Sequence, residues 1–122
     1  MQNDIRRFGE AAHVLTGTTS SQTTTGTLIA APDHGNGGWV LTDIVVTMSK
    51  PGYIEFLSNS IPILPRIKIS AAAGDTKQII LPMARGAFDT SITYKVYFDG
   101  SPTTEYYGMR VAYQFINQYP NL

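Results

Sequence analysis

From Trp39 onward the chain is a succession of short runs of β-branched and aromatic residues, cut by turn residues at intervals of about ten, and this spacing admits an all-β sandwich or barrel and little else. Residues 39–48 (WVLTDIVVTM) form a largely buried strand whose apolar content is too dense for simple alternation, ended by Lys50-Pro51-Gly52. Residues 53–57 (YIEFL) put Ile54 and Phe56 on one face and Glu55 on the other, and residues 66–70 (RIKIS) alternate cleanly, with Ile67 and Ile69 toward the core. Pro62 and Pro65 confine residues 61–65 to an edge or a crossing segment, because neither can donate to a ladder. Residues 77–81 (KQIIL) form another short strand, stopped at Pro82. Ile92, Tyr94, Val96 and Phe98 share one face of the next strand, and Tyr107, Met109, Val111, Tyr113 and Phe115 share one face of the last.

With the weaker segments 12–16 and 26–31, the count reaches about eight strands, as a two-sheet jelly roll or similar sandwich requires. Helix signals are nearly absent. The expected architecture is therefore a single-domain β-sandwich over residues 26–122, preceded by an extended N-terminal arm over residues 1–25. Between Glu10 and Asp33 no residue is formally charged, and residues 16–27 (TGTTSSQTTTGT) are nearly all small and polar. Such a segment buries too little apolar surface to order alone, yet its β-branched threonines favour extended backbone, so it is either a loose arm or a strand that pairs with another subunit's sheet edge.

Charge and composition narrow the functional classes. Nine basic and nine acidic side chains cancel, so no global field draws the chain to nucleic acid or to an anionic membrane. Charged residues make up only 15% of the chain, which leaves a surface poorly protected from association and points to protein partners that cover it. No apolar run approaches the ~20 residues of a membrane span, and the start (MQNDIRRFGEAAHV) lacks the apolar core of a signal peptide. The chain has no cysteine, which removes thiol catalysis and cysteine-based zinc sites.

Chemistry-bearing motifs are wanting. His13 and His34 sit in no ligand-spaced pattern, no activated serine motif occurs, and the scattered acids form no evident pair. Asp43 interrupts an apolar run and must find a hydrogen-bond partner if it is buried. No catalytic residue, metal site or cofactor site is expected. Aromatics crowd the last third of the chain, and those beyond the core faces are better suited to subunit interfaces than to base stacking, since few cations accompany them.

The order of elements resembles the small β-sandwich modules of tailed-bacteriophage virions. The resemblance covers about residues 26–116 and rests on WVLTDIVVTMSKPGYIEFLSNS, ILPRIKISAAAGDTKQIILPMARGAFDTSITYKVYF and MRVAYQF, matching at residues 41–47, 65–74, 79–82, 86–93 and 109–115. Such modules serve as head decoration or cement proteins, often trimers at local three-fold positions of the capsid, and as parts of fibres and tail tips. The resemblance implies a non-enzymatic protein, made in the cytoplasm of the infected bacterium, that binds the major capsid protein on the capsid surface as a homotrimer. The alternative it leaves open is a receptor- or glycan-binding module of a tail or head fibre. The missing charge and the surplus aromatics then single out Ile5, Arg6, Arg7 and Phe8 with Thr23, Thr24 and Thr25 as the residues expected to contact the capsid, and Tyr97, Tyr106, Tyr113, Phe115 and Tyr119 as those expected at a subunit interface. Neither nucleic acid nor membrane is expected as a partner.

Overall fold

The computed structural model describes residues 11–32, 37–85 and 90–117, and among them the only regular structure is strand. Nine strands follow in order: β1 (Ala11–Thr19), β2 (Thr23–Ile29), β3 (Gly37–Met48), β4 (Gly52–Ser58), β5 (Ile61–Pro62), β6 (Ile67–Ile69), β7 (Asp75–Arg85), β8 (Ile92–Phe98) and β9 (Glu105–Asn117). One sheet has the order β1-β9-β3-β7 and the other β2-β8-β4-β5, with β6 also paired to β4, and every pairing is antiparallel. The chain crosses between the sheets at almost every step. With the two short strands β5 and β6 sharing one position, this is the eight-position jelly roll that the strand count predicts.

The core follows from period-two alternation on the two inner faces. Ile54 and Phe56 of β4, Ile67 and Ile69 of β6, Ile92, Val96 and Phe98 of β8, and Met109 and Val111 of β9 are all buried, each burial stabilising by about 1.5–3 kcal/mol. β3 departs from alternation for a definable reason. Leu41 lies opposite Tyr113 and Asp43 opposite Ala112, so Thr42 is one residue too many and forms a bulge. The bulge turns the inward face from Trp39 and Leu41 to Ile44, Val46 and Met48, and the strand therefore reads as nearly continuously apolar.

Two expectations are corrected. Pro82 does not stop its strand: β7 continues to Arg85, and Pro82 lies where three residues of β7 face Thr42 alone. β7 is the edge of its sheet, so a residue without an N–H costs little in this irregular stretch. The second correction concerns the arm. Residues 11–25 are not a separate extension, since β1 pairs along its whole length with β9, and β2 runs across the expected boundary at 25/26 while paired to β8.

These two strands are held by a reciprocal fit. The inward positions Gly17 and Gly26 lie opposite Tyr107 and Tyr94, and a Cβ on either glycine would stand 2.6 Å from the phenolic oxygen that lies over it. The two rings are tilted together at 6.3 Å across the sandwich and share a hydrogen bond. Thr24 Oγ1 donates to Thr19 Oγ1 at 3.0 Å across the turn. The threonine-rich segment thus orders on its own domain's tyrosines, with glycine supplying the space that they occupy.

Candidate functional site

The two outward sheet faces carry the features available to a partner. On the β1-β9-β3-β7 face, register places Thr16, Gly108, Thr47 and Thr76 in one cross-strand row and Val14, Arg110, Val45 and Gln78 in the next. Gly108 has no side chain, so the centre of this face is a shallow groove of about 230 Å³, lined by Val14, Thr16, Val45, Thr47, Tyr106 and Arg110 among others. Val14 is 61% exposed and Tyr106 44%, two of the three large hydrophobic side chains that stand out from the surface among the described residues. Arg110 is the one cation of the groove lining among the described residues.

The Tyr106 end of this face is fixed by a buried polar knot. Ser49 donates from its backbone N–H to the Tyr106 carbonyl at 2.9 Å, its hydroxyl accepts from the Tyr106 N–H at 2.8 Å, and the same hydroxyl donates to the Glu105 carboxylate at 2.8 Å. Glu105 is itself buried, accepts also from the Thr103 N–H at 3.3 Å and pairs with Lys50 Nζ at 3.4 Å. The Ser49 hydroxyl, the Thr103 amide and the Lys50 ammonium together outweigh burial and hold the Glu105 carboxyl below its ordinary range.

On the β2-β8-β4 face, Thr23, Tyr97, Tyr53 and Lys68 form one cross-strand row, and Thr25, Lys95 and Glu55 the next. Tyr53 and Tyr97 stack at 5.0 Å with ring planes 20° apart. Arg66 lies over the Tyr53 ring at 4.2 Å and donates through Nε to the buried Glu55 carboxylate at 2.9 Å, and the Lys95 ammonium sits 5.8 Å from the same ring. The bond to Glu55 holds the Arg66 guanidinium above its ordinary value. A second shallow groove of about 390 Å³ adjoins, lined by Thr25, Leu57, Ser60, Thr93 and Lys95 with Gly26 and Tyr94.

The residues expected to form contacts are distributed differently from the two groups assigned by sequence. Thr23 and Thr25 are exposed on the β2-β8-β4 face, while Thr24 turns inward to Thr19. Tyr97 lies directly opposite Thr23, so an expected capsid contact and an expected subunit contact share one surface; Gln22 Nε2 donates to its hydroxyl at 3.1 Å. Tyr106 stands on the other sheet's outer face. Tyr113 and Phe115 meet the edge of Trp39 at 5.2 and 5.7 Å and are half-buried within their own chain, while Trp39 Nε1 donates to the Ala30 carbonyl at 2.8 Å. Ile5, Arg6, Arg7, Phe8 and Tyr119 lie outside the described residues, as does His34.

Val14, Val45, Tyr53 and the Arg66–Glu55 pair are surface features that the sequence reading passed over. Val14 was legible, since alternation in β1 puts it opposite Leu15. The pairing of Arg66 with Glu55 was not, because they belong to different segments brought together only by the β4–β6 ladder. Asp43, half-buried beside the bulge, finds its hydrogen-bond partner in Gln78, whose Nε2 donates to it at 3.2 Å. Among the described residues no group of three or more His, Asp or Glu side chains is gathered to hold a metal ion.

No family model matches the chain, and no curated protein matches it. Many solved structures share its architecture. The dimeric latent form of PorU from Porphyromonas gingivalis aligns over 89% of this chain at a TM-score of 0.54 and 9% identity, and the chain spans only 13% of that protein. The coat protein of Tobacco streak virus aligns over 88% of this chain and 85% of its own at a TM-score of 0.43 and 8% identity. The capsid structure of Helicobacter pylori bacteriophage KHP30 gives 88% and 97% at 0.47 and 7%. At such identities the likeness is one of fold: the chain is an antiparallel two-sheet sandwich, and viral coat and capsid proteins are among the structures similar to it.

Proposed function

We propose that this chain is a non-enzymatic structural protein of a phage virion, binding the outside of the capsid and stabilising it as a homo-oligomer that bridges several shell subunits. The observation that carries the reading is the uncharged side of the sandwich: residues 11–32 hold no Asp, Glu, Lys or Arg, yet they include the two edge strands β1 and β2, with Val14 standing 61% exposed. A surface so composed gains by being covered with protein, and it offers nothing that would select nucleic acid. The sequence resemblance to virion modules supplies the partner, the major capsid protein, and the trimer is the assembly it implies. Attachment would be multivalent, each subunit adding modest contacts that an oligomer turns into avid binding. The test is to add purified chain to shells assembled without it. Co-sedimentation, with added density on the outer surface and a higher shell-disruption temperature, is expected; shells that leave the chain in the supernatant would contradict the reading.

One observation favours a second reading, a receptor-binding module of a fibre. The Tyr53–Tyr97 stack with Lys95 and the adjoining groove of about 390 Å³ offers aromatic and polar surface of the kind that holds sugars. Binding to a glycan array that a Tyr97→Ala variant loses would move this reading ahead.

A further inference from the structure

A sandwich of this kind has sheet edges to protect, and the edges differ. An edge strand exposes a row of unpaired backbone N–H and C=O groups, which proteins guard by shortness, charge, proline or bulges. β5 has two residues, one of them Pro62, and β6 has three, with Lys68 in the middle. β7 carries Asp75, Lys77 and Arg85 in its sequence, with Pro82 in its irregular stretch. β2 is uncharged but has a register break between Thr27 and Ile29. β1 has none of these devices. It is nine residues long (AAHVLTGTT), pairs with β9 without a register shift, and lies at the end of its sheet with no neighbour on its other side among the described residues.

From this contrast we propose that β1 pairs with β1 of a second copy of this chain, antiparallel about a two-fold axis, joining two four-stranded sheets into one of eight. Three observations select a second copy as the occupant. An antiparallel two-fold pairing sets each residue against another of the same strand, so a charge near its centre would lie close to its own symmetry copy; β1 carries none among Asp, Glu, Lys and Arg. Full overlap of a nine-residue strand centres on Leu15 and keeps outward side chains against outward ones, so Val14 meets Thr16 of the partner subunit and Thr16 meets Val14 of the partner subunit, both β-branched pairs suited to a sheet. The exposed Val14 and the groove that reaches Tyr106 continue directly from this edge, so pairing also narrows the apolar surface left open on that face.

The edge is also packed from inside before it pairs. Tyr107 over Gly17 and Tyr94 over Gly26 clamp β1 and β2 from inside, so little ordering is left to be done on association. Because β1 and β2 are joined by residues 20–22 alone, β2 flanks the joint on the other sheet. The inference concerns self-association alone and does not rest on the capsid reading. It differs from the trimer that the sequence resemblance implies.

The test is the solution mass of the full chain by light scattering across a dilution series. Twice 13.3 kDa at the concentrated end is expected. A monomer at all concentrations, or three times 13.3 kDa, would overturn the proposal. The double variant Val14→Lys, Thr16→Lys puts four like charges on the joint and is expected to weaken dimerisation on the order of a hundredfold with an unchanged circular dichroism spectrum. Ile61→Lys, 63% exposed beside β4, should leave the dimer intact. A dimer indifferent to the β1 charges would place the joint elsewhere and overturn it. Should the double variant fail to fold, hydrogen exchange on the unaltered chain decides: amides of residues 11–19 should slow with rising concentration while those of β5 and β6 do not, and uniform rates would overturn it.

Discussion

Gly52 has the least room of the described glycines. It begins β4 opposite Phe98, and a Cβ there would overlap the Tyr97 carbonyl oxygen, a backbone atom that cannot swing aside. Gly52→Ala should therefore cost at least about 3 kcal/mol in urea unfolding, a large loss for one methyl group. Two shifted ionisable residues predict how stability should vary with pH. The Glu105 carboxyl is held low chiefly by the Ser49 hydroxyl, with the Thr103 amide and Lys50 adding to it. Its contribution is present above the ordinary carboxylate value and is lost as pH falls through the lowered one, and Glu105→Gln should flatten that acid limb in thermal melts across pH. Tyr94 marks the other limb. Burial, then its bond to Tyr107, raises its phenol from 10 to about 12, so stability should hold up to about pH 10 and decline between 10 and 12 as ionisation is forced. In Tyr94→Phe that decline should shrink, and the late-ionising phenol should vanish from the ultraviolet titration.

Strands differ in how much of them the sequence discloses. β4, β6 and β8 were legible because strict alternation survives in them, and every residue assigned inward there is buried. β3 was legible as a buried strand but not in its phase, since the bulge at Thr42 depends on how β9 pairs with it, a relation between segments some seventy residues apart. β1 and β2 were harder still. Two of their inward positions, Gly17 and Gly26, leave space whose complement, Tyr107 and Tyr94, lies far along the chain, so composition suggested a loose arm where cross-strand fit makes an ordered edge. The outward surfaces were least legible: Tyr97 and Tyr106, taken together as one interface, fall on opposite sheets. Packing predicts a graded response to truncation across elements. Ile44→Ala, at the centre of β3 and fully buried, should cost about 2–5 kcal/mol, whereas Ile61→Ala on the exposed β5 should stay within about 0.5 kcal/mol. Equal losses at the two positions in denaturant titrations would mean that β5 is covered in the native state.

The described residues form a sandwich with one uncharged side, one outer face grooved around Gly108 and another bearing stacked tyrosines. A net charge of zero means that attachment to a shell should depend little on salt, unlike the steep loss expected of phosphate-binding proteins. Binding isotherms to empty shells at low and moderate salt should therefore nearly coincide. A two-fold joint through β1 would cover part of the uncharged side and leave most of both outer faces open, so self-association and shell attachment can be combined in one chain. The claim that joins these features is that the chain works as a component of the capsid exterior, and copy number in purified virions tests it most directly. Quantitative mass spectrometry should find this chain in a ratio to the major capsid protein near one, or a simple fraction of it. A ratio corresponding to a few tens of copies would contradict shell decoration in favour of a fibre, and absence from the particle would contradict both readings.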